Sequence, residues 1–141
     1  MPFDHAAFCA DLRRAVDRYV ESIDAWERAY RQKYRLVVAG QVSADLQPLQ
    51  DEFLKAKREL EALVPQATRL CRRYHLREPW PMVMRVELGV NAPQNATWTS
   101  ALGNGERTLL TKCLLDLEEK SIEEEPPAKT GLLSRILDWF V

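Results

Sequence analysis

The sequence predicts a mainly all-α fold: a long antiparallel helical hairpin of coiled-coil-like pattern, a third helix, and a short C-terminal amphipathic helix. Three observations carry this. Cys9, Leu12, Val16, Tyr19, Ile23, Trp26, Tyr30, Lys33 and Val37 recur in alternating steps of three and four, the spacing that lines side chains along one helical stripe. Leu46, Leu49, Phe53, Ala56, Leu60, Leu63, Ala67, Leu70 and Tyr74 repeat the pattern. Between the two stripes lies only the short link Gly40-Gln41-Val42-Ser43, which allows the helices to meet only as an antiparallel pair.

Asp4 opens the first helix as an N-cap, its carboxylate accepting from the free amides of the first turn. The stripe then runs to about residue 38, roughly 50 Å of helix at about 1.5 Å per residue. The second helix starts at Ser43 or Asp45, tolerates Pro48 in its first turn, and extends to about Arg77. Pro65 removes the amide that would bond the Glu61 carbonyl, so a kink is expected near Val64. Glu78-Pro79-Trp80-Pro81 ends the helix. Symmetric pairing about the link sets Leu12 against Leu70, Tyr19 against Leu63 and Trp26 against Ala56, while Lys33 faces Leu49 and reaches out to water.

Residues 82–101 carry two patterns. Met82, Met84, Val86, Leu88 and Val90 alternate as a strand does, with Ala96-Thr97-Trp98-Thr99 as its return, giving a small β-hairpin. The rival is a pair of short helices over 81–89 and 93–102. Leu102-Gly103-Asn104-Gly105 breaks the chain again, with Asn104 as the cap of a third helix from about Glu106 to Glu124. Leu110, Cys113, Leu114 and Leu117 form its apolar face. The expected organisation is a helical-hairpin domain with its third helix over 1–125, a Pro-rich linker over 126–131, and a docking helix over 132–141.

Bulk properties narrow the function. A chain of 141 residues with 46% apolar content is one domain with a real core. A net charge of −1 supplies no global field for nucleic acid or membrane. Three cysteines are too sparse a set for a secreted disulfide framework. Met1-Pro2-Phe3-Asp4-His5 has neither the basic nor the apolar region of a signal peptide, so a cytoplasmic location is expected.

Four residues have metal-ligand chemistry. His5 and Cys9 lie four apart on the first helix, and Cys71 and His75 four apart on the second. Antiparallel pairing brings the start of one helix beside the end of the other, and two thiolates with two imidazoles make a tetrahedral zinc set. The competing account is that they are buried cysteines and half-exposed histidines at helix ends, with no cofactor. Arg69, Arg72, Arg73 and Arg77, near Arg13, Arg14 and Trp80, suggest a basic patch beside an aromatic. Cations at a helix C-terminus oppose its dipole, and acids of the third helix can neutralise them, so nucleic-acid binding is not expected. Gly103-Asn104-Gly105 precedes a helix as phosphate loops do but lacks a P-loop's lysine and spacing. No acid, base and nucleophile converge, so an enzyme is not expected.

The C-terminal segment has the strongest binding pattern. Leu132, Leu133, Ile136, Leu137, Trp139, Phe140 and Val141 cover one side of a helical wheel, and Ser134, Arg135 and Asp138 the other. The expected function is a non-enzymatic adaptor that docks on a protein partner through Leu132, Leu133, Ile136, Leu137, Trp139 and Phe140. The alternatives are a peripheral membrane protein held by the same helix, a zinc-clasped helical module, and a tail folded back on its own domain.

Overall fold

The computed structural model describes residues 3–40, 45–88 and 101–123. Four helices run through them: α1 (His5–Val38), α2 (Gln47–Arg73), the single turn α3 (Trp80–Val83) and α4 (Asn104–Glu123). The mainly all-α expectation holds, with no strand among the described residues. The hairpin link 41–44, the expected return strand, most of the rival helix over 93–102, the Pro-rich linker and the docking helix lie outside them.

The start of α1 is the one expected. The Ala7 amide donates to Asp4 Oδ1 at 3.0 Å, and the Phe8 amide to the Asp4 carbonyl at 3.0 Å. At the start of α2 the Gln47 amide donates to Asp45 Oδ1 at 3.0 Å, and Pro48 occupies the first turn, where no helical partner for its amide is needed. α2 continues through Pro65. Pro65 and Glu61 are both exposed, so water can take the Glu61 carbonyl that the proline leaves without an amide.

The end of α2 differs from expectation. The helix stops at Arg73, not Arg77, because the chain closes a Schellman turn. The His75 amide donates to the Arg72 carbonyl at 3.3 Å and the Leu76 amide to the Cys71 carbonyl at 2.8 Å. The turn holds His75 in the left-handed region, at φ 56°.

Residues 82–88 are not the expected strand. Pro79 and Pro81 start a helical turn, α3, and the Met84 amide closes it on the Trp80 carbonyl at 2.9 Å. The chain then lies along α2, held by Lys57 Nζ donating to the Val86 carbonyl at 2.9 Å and Gln50 Nε2 to the Leu88 carbonyl at 2.7 Å. Val83, Val86 and Leu88 are buried. Val86 and Leu88 of the alternation are thus the inward side of an irregular strap whose carbonyls at those two residues are bonded by α2 side chains. The helix expected over 81–89 is reduced to this one turn.

α4 begins at Asn104, the residue expected to cap it. The Arg107 amide bonds the Gly103 carbonyl at 3.0 Å, so Gly103 rather than Asn104 takes the cap position, and the Glu106 carboxylate folds back against it. Leu110, Cys113, Leu114 and Leu117 are buried on the expected face.

Contacts between α1 and α2 run in opposite order along the chain: His5 stacks on Tyr74 with ring centroids 5.8 Å apart, Arg18 pairs with Glu59 at 3.2 Å, and Tyr19 packs on Phe53 at 5.5 Å. The helices are therefore antiparallel. In each case the partner lies earlier in the chain than symmetric pairing about the link puts it, and Tyr19 meets the Phe53 ring. α4 packs against the same side of the pair, pinned to α1 by Arg107 with Asp24 at 2.6 Å and Arg13 with Glu118 at 2.5 Å. One core joins all of it, from Trp26 and Phe53 through Tyr19 and Leu60 to Trp80, Cys113 and Leu117.

Candidate functional site

Three cysteines, one from each long helix, lie in the part of the core where the start of α1, the end of α2 and the middle of α4 meet. Cys9, Cys71 and Cys113 are all buried free thiols. The Cys71 and Cys113 sulfurs are 3.4 Å apart. The Cys9 thiol donates to the Leu117 carbonyl at 3.7 Å. Trp80, 2% exposed, directs its indole N–H toward the Cys71 sulfur without a hydrogen bond of normal geometry.

This environment separates the three thiols electrostatically. Burial, then the nearby Glu118 carboxylate, pushes Cys9 up to about 11. Cys113 is pushed well above the usual thiol range, first by its hydrogen bond with Cys71, then by burial and surrounding negative charge that includes Cys9. Cys71 is drawn below the usual value by the Cys113 hydrogen bond and by the Trp80 indole, with burial opposing.

The four residues expected to ligate zinc are not drawn to one point. Among the described residues no three or more of His, Cys, Asp and Glu are gathered as a metal site. The Schellman turn takes His75 off the helix, so it is no longer one turn above Cys71 on a common face, and its side chain is exposed. His5 is engaged with the rings of Tyr74 and Phe3, and the sulfur nearest Cys71 is Cys113. Cys113 appeared in the sequence only as part of an apolar face. Its spacing on α4 was readable. Which residue of α2 it would touch depends on how α4 docks, which no local pattern encodes.

No family model matches this chain, no curated protein matches its sequence, and no solved structure matches it.

Part of the basic patch is ion-paired. Arg13 pairs with Glu118, Arg14 with Asp11, and Arg72 with Glu78 at 3.2 Å. Arg69 donates to Gln66. With its ring in the core, Trp80 presents no face for a base to stack on. On the opposite side, a groove of about 520 Å³ between α1 and α2 is lined by Arg18, Glu21, Ser22, Lys55 and Glu59 among others. Its one hydroxyl, Ser22, donates to the Tyr19 carbonyl of its own helix at 2.7 Å. No helix of the described residues is long and apolar enough to cross a membrane. The six expected docking residues, Leu132, Leu133, Ile136, Leu137, Trp139 and Phe140, lie outside the described residues.

Proposed function

We propose that this chain is a non-enzymatic adaptor, in which the helical hairpin and α4 form a mount and residues 131–141 dock on a protein partner. The observation that carries the reading is the density of large apolar side chains in the last ten residues, beyond a Pro-Pro linker. Trp139 and Phe140 are the anchors, since large aromatics dominate binding energy when they fill a pocket. The mount adds support. At the last turn of α4, Ile122 is 69% exposed, so apolar surface is already offered just before the linker. A protein groove is favoured over lipid because the segment carries Lys129 and Arg135 against Asp138, too few cations for an anionic surface.

The test compares the full chain with its Trp139→Ala/Phe140→Ala variant. Affinity capture should retain a protein on the first and lose it on the second, at an unchanged melting temperature. A fall of several degrees in the variant would mean the tail packs on its own domain. Cosedimentation of the wild-type chain with anionic liposomes, lost in the variant, would transfer the role to a membrane.

A further inference from the structure

We propose that Cys71 and Cys113 are an oxidation site, a dithiol that hydrogen peroxide converts into a disulfide clasp between α2 and α4. The proposal rests on placement. The two thiols come from different helices, 42 residues apart in sequence, yet their sulfurs already touch at 3.4 Å. A disulfide needs about 2.05 Å between sulfurs, so they must close by about 1.4 Å. Cys71 lies at the end of α2, where its carbonyl already bonds Leu76 in the Schellman turn, and a helix end yields more readily than a helix middle.

The same placement assigns the roles. Either thiol can donate in the Cys71–Cys113 contact, and the nearby Trp80 indole favours Cys71 as the sulfur that carries the thiolate. The Cys71 thiolate attacks one peroxide oxygen; an S–O bond forms, the O–O bond breaks, and hydroxide leaves to take up a proton as water. The Cys113 sulfur then attacks the Cys71 sulfur; the S–S bond forms, the S–O bond breaks, and the departing hydroxide takes the Cys113 proton as a second water. The two electrons lost by the sulfurs are those gained by the peroxide. Trp80 also lines an open cleft of about 290 Å³ with Thr68, Arg72, Glu78 and Met84. Cys71 and Cys113 are buried and do not line that cleft, so an oxidant entering from that side must pass the Trp80 ring, which favours peroxide, little larger than water, over a bulky disulfide such as oxidised glutathione.

The clasp has a structural consequence. The ion pairs that hold α4, Arg13 with Glu118 and Arg107 with Asp24, both go to α1. A Cys71–Cys113 bond would tie α4 to α2 as well and close a long loop in the unfolded chain. Cys9 takes no part, because its thiol is turned to the Leu117 carbonyl.

The experiment uses the full-length wild-type chain, folded and reduced, treated with hydrogen peroxide, freed of excess peroxide, and then unfolded in denaturant with an alkylating reagent. The expected intact mass shows the loss of two hydrogens and one alkylated cysteine. Peptide mapping without reductant should join the peptides of Cys71 and Cys113 and leave Cys9 alkylated. The melting temperature should rise by roughly 10 °C and return on treatment with dithiothreitol. Three alkylated cysteines after peroxide, a link that includes Cys9, a link between two chains, sulfinic acid at Cys71 without a link, or a lowered melting temperature would each overturn the proposal.

Discussion

His75 holds its backbone at φ 56°, a region that costs a non-glycine residue about 1–2 kcal/mol. It does so because the Schellman turn requires a left-handed residue there, and its exposed side chain brings no contact that favours histidine over glycine. Replacing His75 with Gly should therefore stabilise the fold by about 0.5–1 kcal/mol, raising the melting temperature by roughly 2–4 °C, while His75→Val should lower it. Calorimetry of the two variants checks this, and the reverse order would mean the turn is not what ends α2. Cys9 makes a second prediction, one of pH. Its thiol rises from the ordinary 9.0 to about 11 in the folded chain. The folded protein thus keeps a proton that the unfolded chain gives up, so this contribution is complete below pH 9.0 and is lost as pH climbs through about 11. Cys113 and Tyr19, raised in the same direction, carry the loss to higher pH. The melting temperature should fall between those pH values, and the fall should be shallower in Cys9→Ala; equal slopes in the two proteins would remove Cys9 as the cause.

Among the elements, α1, α2 and α4 were legible because each places an apolar stripe on one face, a pattern that needs no knowledge of neighbours. The strap was not legible. Val86 and Leu88 alternate with Arg85 and Glu87 as a strand would, but the partner that satisfies their backbone is a pair of α2 side chains, Lys57 and Gln50. Period alone cannot distinguish a strand ladder from that arrangement. Symmetry about Gly40 treats the hairpin as two helices alone, whereas Tyr19 also reaches beyond α2. Its hydroxyl donates to the Val83 carbonyl at 2.5 Å, tying α1 to α3. Tyr19→Phe should leave that carbonyl buried without its donor and cost about 1–3 kcal/mol in urea unfolding, with the denaturant slope unchanged. A cost of only about a few tenths of a kcal/mol would show that the carbonyl finds water instead.

At the scale of the molecule, the sequence placed Cys9 and Cys71 at neighbouring helix ends but could not bring Cys113 to them. That contact depends on the angle at which α4 settles, and the same docking decides whether the described residues unfold as one unit. α4 is 20 residues long, and its apolar face of Leu110, Cys113, Leu114 and Leu117 meets no other α4-like element. An isolated helix of such length is marginal in water, so once detached it has nothing to keep it folded. The hairpin depends on α4 in return. Without it Cys9, Cys71 and Trp80 lose the Cys113 and Leu117 side of their core, and Arg13 and Arg107 lose or vacate their partners on Glu118 and Asp24. Far-UV circular dichroism, which follows all the helices, and tryptophan fluorescence, which follows Trp26 and Trp80 among the four tryptophans, should therefore give the same urea midpoint. Arg107→Ala tests the coupling from one end of α4: it should lower both midpoints together, by an amount set by about 1–2 kcal/mol for a half-buried bidentate pair that also supports the Leu102 carbonyl. If helicity is lost first while fluorescence holds, α4 leaves on its own and the hairpin stands without it.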